Sequence, residues 1–271
     1  MNTKTTLNKL KQNLQGQWAL ITGASSGMGR DYAHILAAAG ADLVITARRT
    51  ERLEQLAQEI RSTYHVRVEI MTSDLGMLGA GSELKKRIEN KGIKIDVLIN
   101  NAGLGLFGEF EKTPLEETLK MLQVDIVALT ELTKIFVDDM KIRGRGHILL
   151  VGSVGAYQPT PTYAAYAAAK SYVLNFGEAL SYELRSSGVK VSVLNPGITQ
   201  TEFFEVAGQK PTLYQRLVMM KSHPVALAGL KALYKGHSST VAGLLNQITI
   251  NLTKFMPRSF QTRAAYLLMK N

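Results

Sequence analysis

Trp18-Ala19-Leu20-Ile21-Thr22 runs straight into Gly23-Ala24-Ser25-Ser26-Gly27-Met28-Gly29, and a helical pattern takes over at residues 30–39. The apolar run reads as a buried strand, the glycines as a tight turn. The helix that follows opens with free N–H groups and the positive end of its dipole. Strand, glycine turn and helix in this order make an anion site, because residues without side chains let the backbone approach a phosphate. The expectation is a dinucleotide phosphate cradle at Gly23, Gly27 and Gly29; the plain alternative is an ordinary strand-to-helix turn.

The next apolar run, Asp42–Thr46, ends in Ala47-Arg48-Arg49. The adenine ribose would lie here, about 20 residues past the loop, where an NAD site carries Asp or Glu for the ribose hydroxyls. This chain has alanine and two arginines instead. Guanidinium forks match a 2′-phosphate, so the cofactor expected is NADP(H), held by Arg48 and Arg49. The alternative is two solvated residues at a helix start.

Outward from there, strands and helices alternate. Residues 66–71, 96–99, 147–151 and 189–194 read as further strands, and 239–242 as a seventh at the edge. Leu53, Leu56, Ala57 and Ile60 mark one helix, 84–88 lies in another, and a long one follows Pro114. Its stripe is Leu115, Leu119, Leu122, Ile126, Leu129, Leu132 and Ile135. A helix over 162–186 stops at Gly188, and one over 224–234 has Val225, Ala228 and Leu233 as contacts. Such alternation implies right-handed crossovers and an α/β fold: a Rossmann-like, doubly wound parallel sheet of about seven strands with helices on both faces. The expected division is an arm over 1–15, one catalytic domain over 16–243 and a helical tail over 244–271.

The helix at 162–186 carries Tyr166-Ala167-Ala168-Ala169-Lys170. Four residues put the phenol and the ammonium on one face, one turn apart. A free phenol has a pKa of about 10, and a nearby ammonium lowers it. Ser153, at the carboxyl end of the fifth strand, completes a plausible acid–base group. Without Ser153, Tyr166 and Lys170 would pass for surface residues on an alanine-rich helix.

Composition narrows the partners. The chain has 271 residues and no cysteine, so disulfides and thiolate sites are excluded and a reducing, cytoplasmic setting is expected. His34, His65, His147, His223 and His237 are scattered without metal-ligand spacing, so no metal is expected. The net charge of +10 belongs to the two ends. Nine basic residues and no acid follow Glu205, and Lys4, Lys9 and Lys11 lie in the first fifteen. These twelve leave 20 basic against 22 acidic residues over 16–205, which does not suit a nucleic-acid-coating protein.

Taken together these motifs resemble the short-chain dehydrogenases/reductases, over about residues 16–201. The resemblance implies that Gly23, Ser25, Ser26, Gly27, Met28 and Gly29 form the cofactor loop. It implies that Asp74 touches adenine and that Asn100, Ala102 and Gly103 belong to the fourth-strand signature. Pro196, Gly197, Thr199 and Thr201 would hold the nicotinamide amide. Ser153 would orient a carbonyl, Tyr166 would act as acid or base, and Lys170 would lower the tyrosine pKa and bind ribose. Two departures stand out: Asp125 occupies the place of the family's usual asparagine, and Ser26 sits where NADP-preferring members often carry a base.

The implied activity is hydride transfer between NADP(H) and a hydrophobic or bulky carbonyl or alcohol, in a homo-oligomer. The alternative is a nucleotide-binding sensor or scaffold whose activity has lapsed. Residues 199–222 would form a substrate lid, with Tyr157, Phe203, Phe204 and Tyr214 as cleft candidates and Tyr163 as pocket lining. In the tail, Ile248, Leu252, Phe255 and Met256 recur at helical spacing, break at Pro257, and resume with Phe260, Ala264, Leu267 and Leu268 beside Lys254, Arg258, Arg263 and Lys270. Such a tail would lie on a membrane surface, cover the protein's own core or a subunit contact, or attract an acidic carrier.

Overall fold

The computed structural model describes residues 14–269, so most of the expected 1–15 arm, with Lys4, Lys9 and Lys11, lies outside the described residues, as does Lys270. The apolar runs become β1 (Trp18–Thr22), β2 (Asp42–Thr46), β3 (Val68–Ile70), β4 (Ile95–Asn100), β5 (Gly146–Val151) and β6 (Val189–Asn195). Two short strands follow, β7 (Thr199–Gln200) and β8 (Met220–Lys221), and then β9 (Ser239–Val241). Seven of these pair in parallel in the order β3-β2-β1-β4-β5-β6-β9, the doubly wound sheet expected, while β7 and β8 pair apart. The third strand is shorter than its apolar pattern, although the Met71 N–H still donates to Ile45 O at 3.0 Å.

Strands buried on both sides need a helical layer on each, and alternation of side chains decides which layer each residue meets. Ala19, Ile21, Leu43, Ile45, Val97 and Ile99 join one core with α1 (Gly27–Ala38), α2 (Thr50–Tyr64) and α9 (Ser222–Lys235). Leu20, Val44, Leu98, Ile148, Leu150 and Val193 join the other with α3 (Ala80–Asn90), α5 (Leu129–Arg143) and α6 (Ala164–Glu183). Gly177 lets α6 lie flush on the sheet, since a Cβ there would come within 2.3 Å of Val193.

The helix after Pro114 departs from expectation. It consists of α4 (Leu115–Leu122), a wider π turn over Gln123–Ala128, and α5. Leu129 and Leu132 are buried, but Leu115 and Leu119 are 70% and 56% exposed. The inward face of this region carries Thr118, Met121, Val124, Asp125 and Ala128 instead. A count of apolar residues misses that face because it holds a charge that is paired inside.

The last segments are α7 (Phe203–Val206), α8 (Leu213–Val218), α10 (Leu244–Thr253) and α11 (Arg258–Met269), with the break near Pro257 as expected. Ile250, Gln261 and Ala265 anchor the tail. The apolar stripe read from the sequence points outward: Ile248, Leu252, Phe255, Phe260 and Leu267 are all exposed. Among the described residues no helix is long and apolar enough to cross a membrane, and no cluster of metal-ligating side chains occurs.

Candidate active site

Strand order reverses at the junction of β1 and β4, and a cavity of about 390 Å³ opens there over the carboxyl ends of the strands. Ligands of open α/β sheets bind at such a reversal. Thr22 ties the junction together: its Oγ1 accepts the N–H groups of Asn101 at 3.0 Å and Ala102 at 2.8 Å, and donates to Ile99 O.

The glycine loop forms one wall. The first internal bond of α1 runs from Arg30 N–H to Ser26 O, so the N–H groups of Gly27, Met28 and Gly29 precede the ladder. Gly23, Ser25, Ser26, Gly27 and Met28 line the cavity. Gly29 does not; it lets the loop close, since a Cβ there would lie 2.1 Å from Gly23 O. Free backbone donors in a glycine-rich turn, beside arginines, fit a dinucleotide pyrophosphate. Arg49 donates through Nε and Nη2 to Ser25 Oγ and through Nη2 to Ser26 Oγ, while Arg48 is exposed at the rim. Asp74 lines the same end and accepts Gly76 N–H at 3.0 Å.

Ser153, Tyr166 and Lys170 meet at the other end, as expected from their spacing. Ser153 follows β5, and its Oγ accepts Gly155 N–H at 3.1 Å. Lys170 is buried and donates to Val151 O at 3.2 Å; its Nζ lies 5.6 Å from the Tyr166 ring centroid. Behind it stands Asp125, fully buried, with Oδ2 3.0 Å from Lys170 Nζ and Oδ1 accepting Leu104 N–H at 2.7 Å. At this position it is therefore the side chain that engages the lysine.

The electrostatics differ from the simple picture of a lysine-lowered phenol. Burial pushes the Tyr166 phenol above its ordinary value; Lys170 pulls it down, Asp125 pushes it up again, and a hydrogen bond from Ser153 pulls it down. The net direction is upward because burial outweighs the lysine, whose pull is downward as expected. Burial pulls Lys170 down, but Asp125 and Tyr166 outweigh this and hold its ammonium above the usual lysine value. Burial raises Asp125 more than Lys170 and the Leu104 N–H lower it. A phenol kept protonated at the wall of a cavity can give a proton to an oxygen bound there.

Pro196, Gly197, Thr199 and Thr201 line the cavity, as do Ala102 and Gly103. Asn100 does not. Its amide donates to Thr133 Oγ1 at 2.9 Å and Leu129 O at 3.3 Å, so the expected cofactor contact is replaced by a tie between β4 and α5. Of the cleft candidates, Phe203 and Phe204 join the lining with Tyr163, whereas Tyr157 packs on the core and Tyr214 is exposed. The sequence reading missed Asn101, Glu202, Gln215 and Met269, all of which line the cavity. Asn101 was legible as part of the Asn100–Gly103 motif. Met269 arrives from the far end of the chain and carries no local signal.

Comparison with known proteins agrees with this geometry. A family model described as short chain dehydrogenase matches residues 17–212. The chain is 32% identical over 199 residues to 17-beta-hydroxysteroid dehydrogenase type 3 of Mus musculus, covering 73% of this chain and 65% of that protein. It is 34% identical over 206 residues to very-long-chain 3-oxoacyl-CoA reductase of Phaeosphaeria nodorum, covering 73% and 59%. The match thus spans less than two thirds of those relatives' lengths. Among solved structures, a short-chain dehydrogenase from Sphingobium yanoikuyae in complex with NADPH superposes with a TM-score of 0.78 at 30% identity, over 90% of this chain and 97% of that one. A structure described for 7beta-hydroxysteroid dehydrogenase stereoselectivity gives 0.85 at 26% identity, over 94% and 98%. With the fold, the cleft and these matches in agreement, the chain belongs to the short-chain dehydrogenase/reductase family.

Proposed function

We propose that this family oxidoreductase uses NADP(H) and works on hydrophobic or bulky carbonyls and the matching alcohols. The observation that carries the reading is the line Tyr166–Lys170–Asp125, set with Ser153 in the same cavity as the glycine loop and Arg49. A bound nicotinamide supplies the hydride. Ser153 Oγ holds the substrate oxygen and Tyr166 gives it a proton in reduction or takes one in oxidation. Lys170 stabilises the phenolate left behind and offers N–H groups to ribose hydroxyls, while Asp125 keeps the ammonium charged and aimed. Gly23, Ser25, Ser26, Gly27 and Met28 would cradle the pyrophosphate, and Pro196, Gly197, Thr199 and Thr201 the nicotinamide end.

The NADP preference is supported by Arg48 and Arg49 at the ribose end and by the absence of an acid at position 47. Each arginine–phosphate bond is worth about 1.5–3 kcal/mol, so a preference of tenfold or more follows. The substrate class is supported by the aromatic wall of Tyr163, Phe203 and Phe204, and by relatives named for steroids and 3-oxoacyl-CoA. Residues 199–222 serve as the lid, because Thr201, Phe203, Phe204 and Gln215 of this segment line the cavity. Exposed Leu115 and Leu119 on α4 support self-association. The test is a panel of ketones, keto-steroids and 3-oxoacyl thioesters with NADPH and with NADH, read by loss of nicotinamide absorbance. Turnover of none of them would favour the nucleotide-binding sensor, and equal rates with both cofactors would defeat the NADP assignment.

The tail adds a second reading, favoured by one observation. Its outward apolar stripe lies beside Lys254, Arg258 and Arg263 with no acid in the segment, the pattern of a helix that rests in a lipid interface.

A further inference from the structure

Arg49, one of the two arginines assigned to the 2′-phosphate, already holds an anion of the chain's own. Glu202 Oε2 lies 2.7 Å from Arg49 Nη1, and Glu202 Oε1 accepts from Arg52 Nη1. With Nε and Nη2 of Arg49 donating to Ser25 and Ser26, all three guanidinium nitrogens are engaged. Glu202 comes from 153 residues away, at the threshold of α7, and lines the same cavity. Partial burial raises its carboxyl, but hydrogen bonds and charges from Arg49 and Arg52 outweigh this and hold it below the usual range. The group is a carboxylate at neutral pH.

The next residue ties this contact to the chemistry. Phe203 sits on α7 with its ring centroid 5.4 Å from that of Tyr166 and 6.4 Å from that of Tyr163. Glu202 therefore fastens the segment above the cavity to the phosphate end, and Phe203 carries the same segment against the proposed proton donor.

We propose that Glu202 is a specificity-determining residue that competes for Arg49, so that a 2′-phosphate must displace its carboxylate and in doing so unfastens the 199–222 segment from the cofactor loop. This rests on the NADP reading above. A phosphate and a carboxylate repel each other at contact distance and cannot both take the Nη1 edge of one guanidinium. The exchange is feasible because Arg52 still holds Glu202 when Arg49 turns to the phosphate, leaving neither anion unpaired. A nucleotide without the 2′-phosphate leaves the fastening closed, so the choice of cofactor also controls access over Tyr166.

Calorimetric titration of the full-length protein with adenosine 2′,5′-bisphosphate and with 5′-AMP isolates the phosphate from the nicotinamide. Glu202→Gln keeps the shape and removes the charge. The bisphosphate should bind the variant about three- to fivefold more tightly, the size of one half-exposed ion pair, while 5′-AMP affinity stays within about twofold. Hydrogen exchange over residues 202–218 of the unaltered protein should rise with the bisphosphate and not with 5′-AMP. The proposal is overturned if the unaltered protein prefers the bisphosphate but Glu202→Gln binds it equally or more weakly; Glu202 would then organise Arg49 for the ligand. If neither protein distinguishes the two probes, the 2′-phosphate reading itself fails and takes this proposal with it. Thermal melts of both proteins without ligand show whether the variant is folded.

Discussion

Replacing Asp125 by asparagine removes one charge from the buried line that ends at Tyr166. The amide can still accept the Leu104 N–H through its oxygen, so the local fold is kept. Lys170 Nζ lies 5.6 Å from the Tyr166 ring centroid. At an effective dielectric of about 20, a unit charge at such a distance is worth about 3 kcal/mol, enough to draw the phenol pKa down against its burial. Asp125 touches the ammonium and acts on the phenol with opposite sign over a longer path, so it offsets part of that pull. Its removal leaves the pull of the lysine unopposed, and the Tyr166 pKa falls. In alcohol oxidation the phenolate accepts the proton, so kcat/KM rises with pH through that pKa. The rising limb of Asp125→Asn should therefore lie further to acid, giving oxidation up to about tenfold faster on its slope. In reduction the alkaline fall moves the same way. The assay is the pH profile of kcat/KM in both directions with one substrate pair. An unmoved limb would refute the coupling. A shift toward higher pH would also refute it, and would mean that Lys170 loses its own proton once its partner is gone.

Tyr166→Phe keeps the ring contacts with Tyr163 and Phe203 but has no proton to give. Turnover should fall at least about a hundredfold with NADPH affinity unchanged by titration. Burial, with Lys190 adding to it, holds His147 down at about 4 against an ordinary 6.5. The unfolded chain takes up this proton near its ordinary value while the folded one does not. The contribution of His147 is thus present in full above about pH 6.5 and is lost as pH falls toward about 4. His147→Phe, which retains the stack on Tyr234, should flatten that part of the urea midpoint against pH. For the tail, the full-length protein should sediment with anionic vesicles at low salt and be released at high salt. Absence of binding at low salt would leave the exposed stripe of α10 and α11 to a subunit contact.

The strands and the phosphate loop were legible because their signals are local. Apolar runs followed by glycines at Gly23, Gly103 and Gly197 mark where a strand ends and the chain turns, and Gly188 marks where a helix ends and a strand begins. Ser153, Tyr166 and Lys170 were legible through helix periodicity and through the place of Ser153 after a strand. The partners that come from afar were not. Glu202 is one acid between a threonine and a phenylalanine, and only the folded chain brings it to Arg49. Asp125 was legible through the resemblance, but the inward face of α4 and its π turn was hidden because a charged residue interrupts the apolar periodicity there. Nor did motif order alone show that Asn100 spends its amide on α5, because strand-end position fixes the backbone and not the side chain. The tail's stripe was read correctly as a pattern, but periodicity cannot say which way a stripe faces.

The junction that opens the cavity also sets the order of events when the chain folds. β1 meets β4 through residues 78 apart, whereas β2 meets β3 through residues 25 apart, as in Val44 with Glu69. Closing the longer loop costs about 1 kcal/mol more in chain entropy, and a sheet made only of such non-local pairings folds slowly. β1 and β2 can pair early, but the cleft does not exist until β4 arrives, because Thr22 has nothing to hold before Asn101 and Ala102 reach it. While the first half of the chain emerges, nucleotide therefore meets only the glycine loop and Arg49, without the cleft that β4 closes. The complete site exists only in the finished sheet, so cofactor should lengthen the lifetime of the native protein more than it speeds its formation.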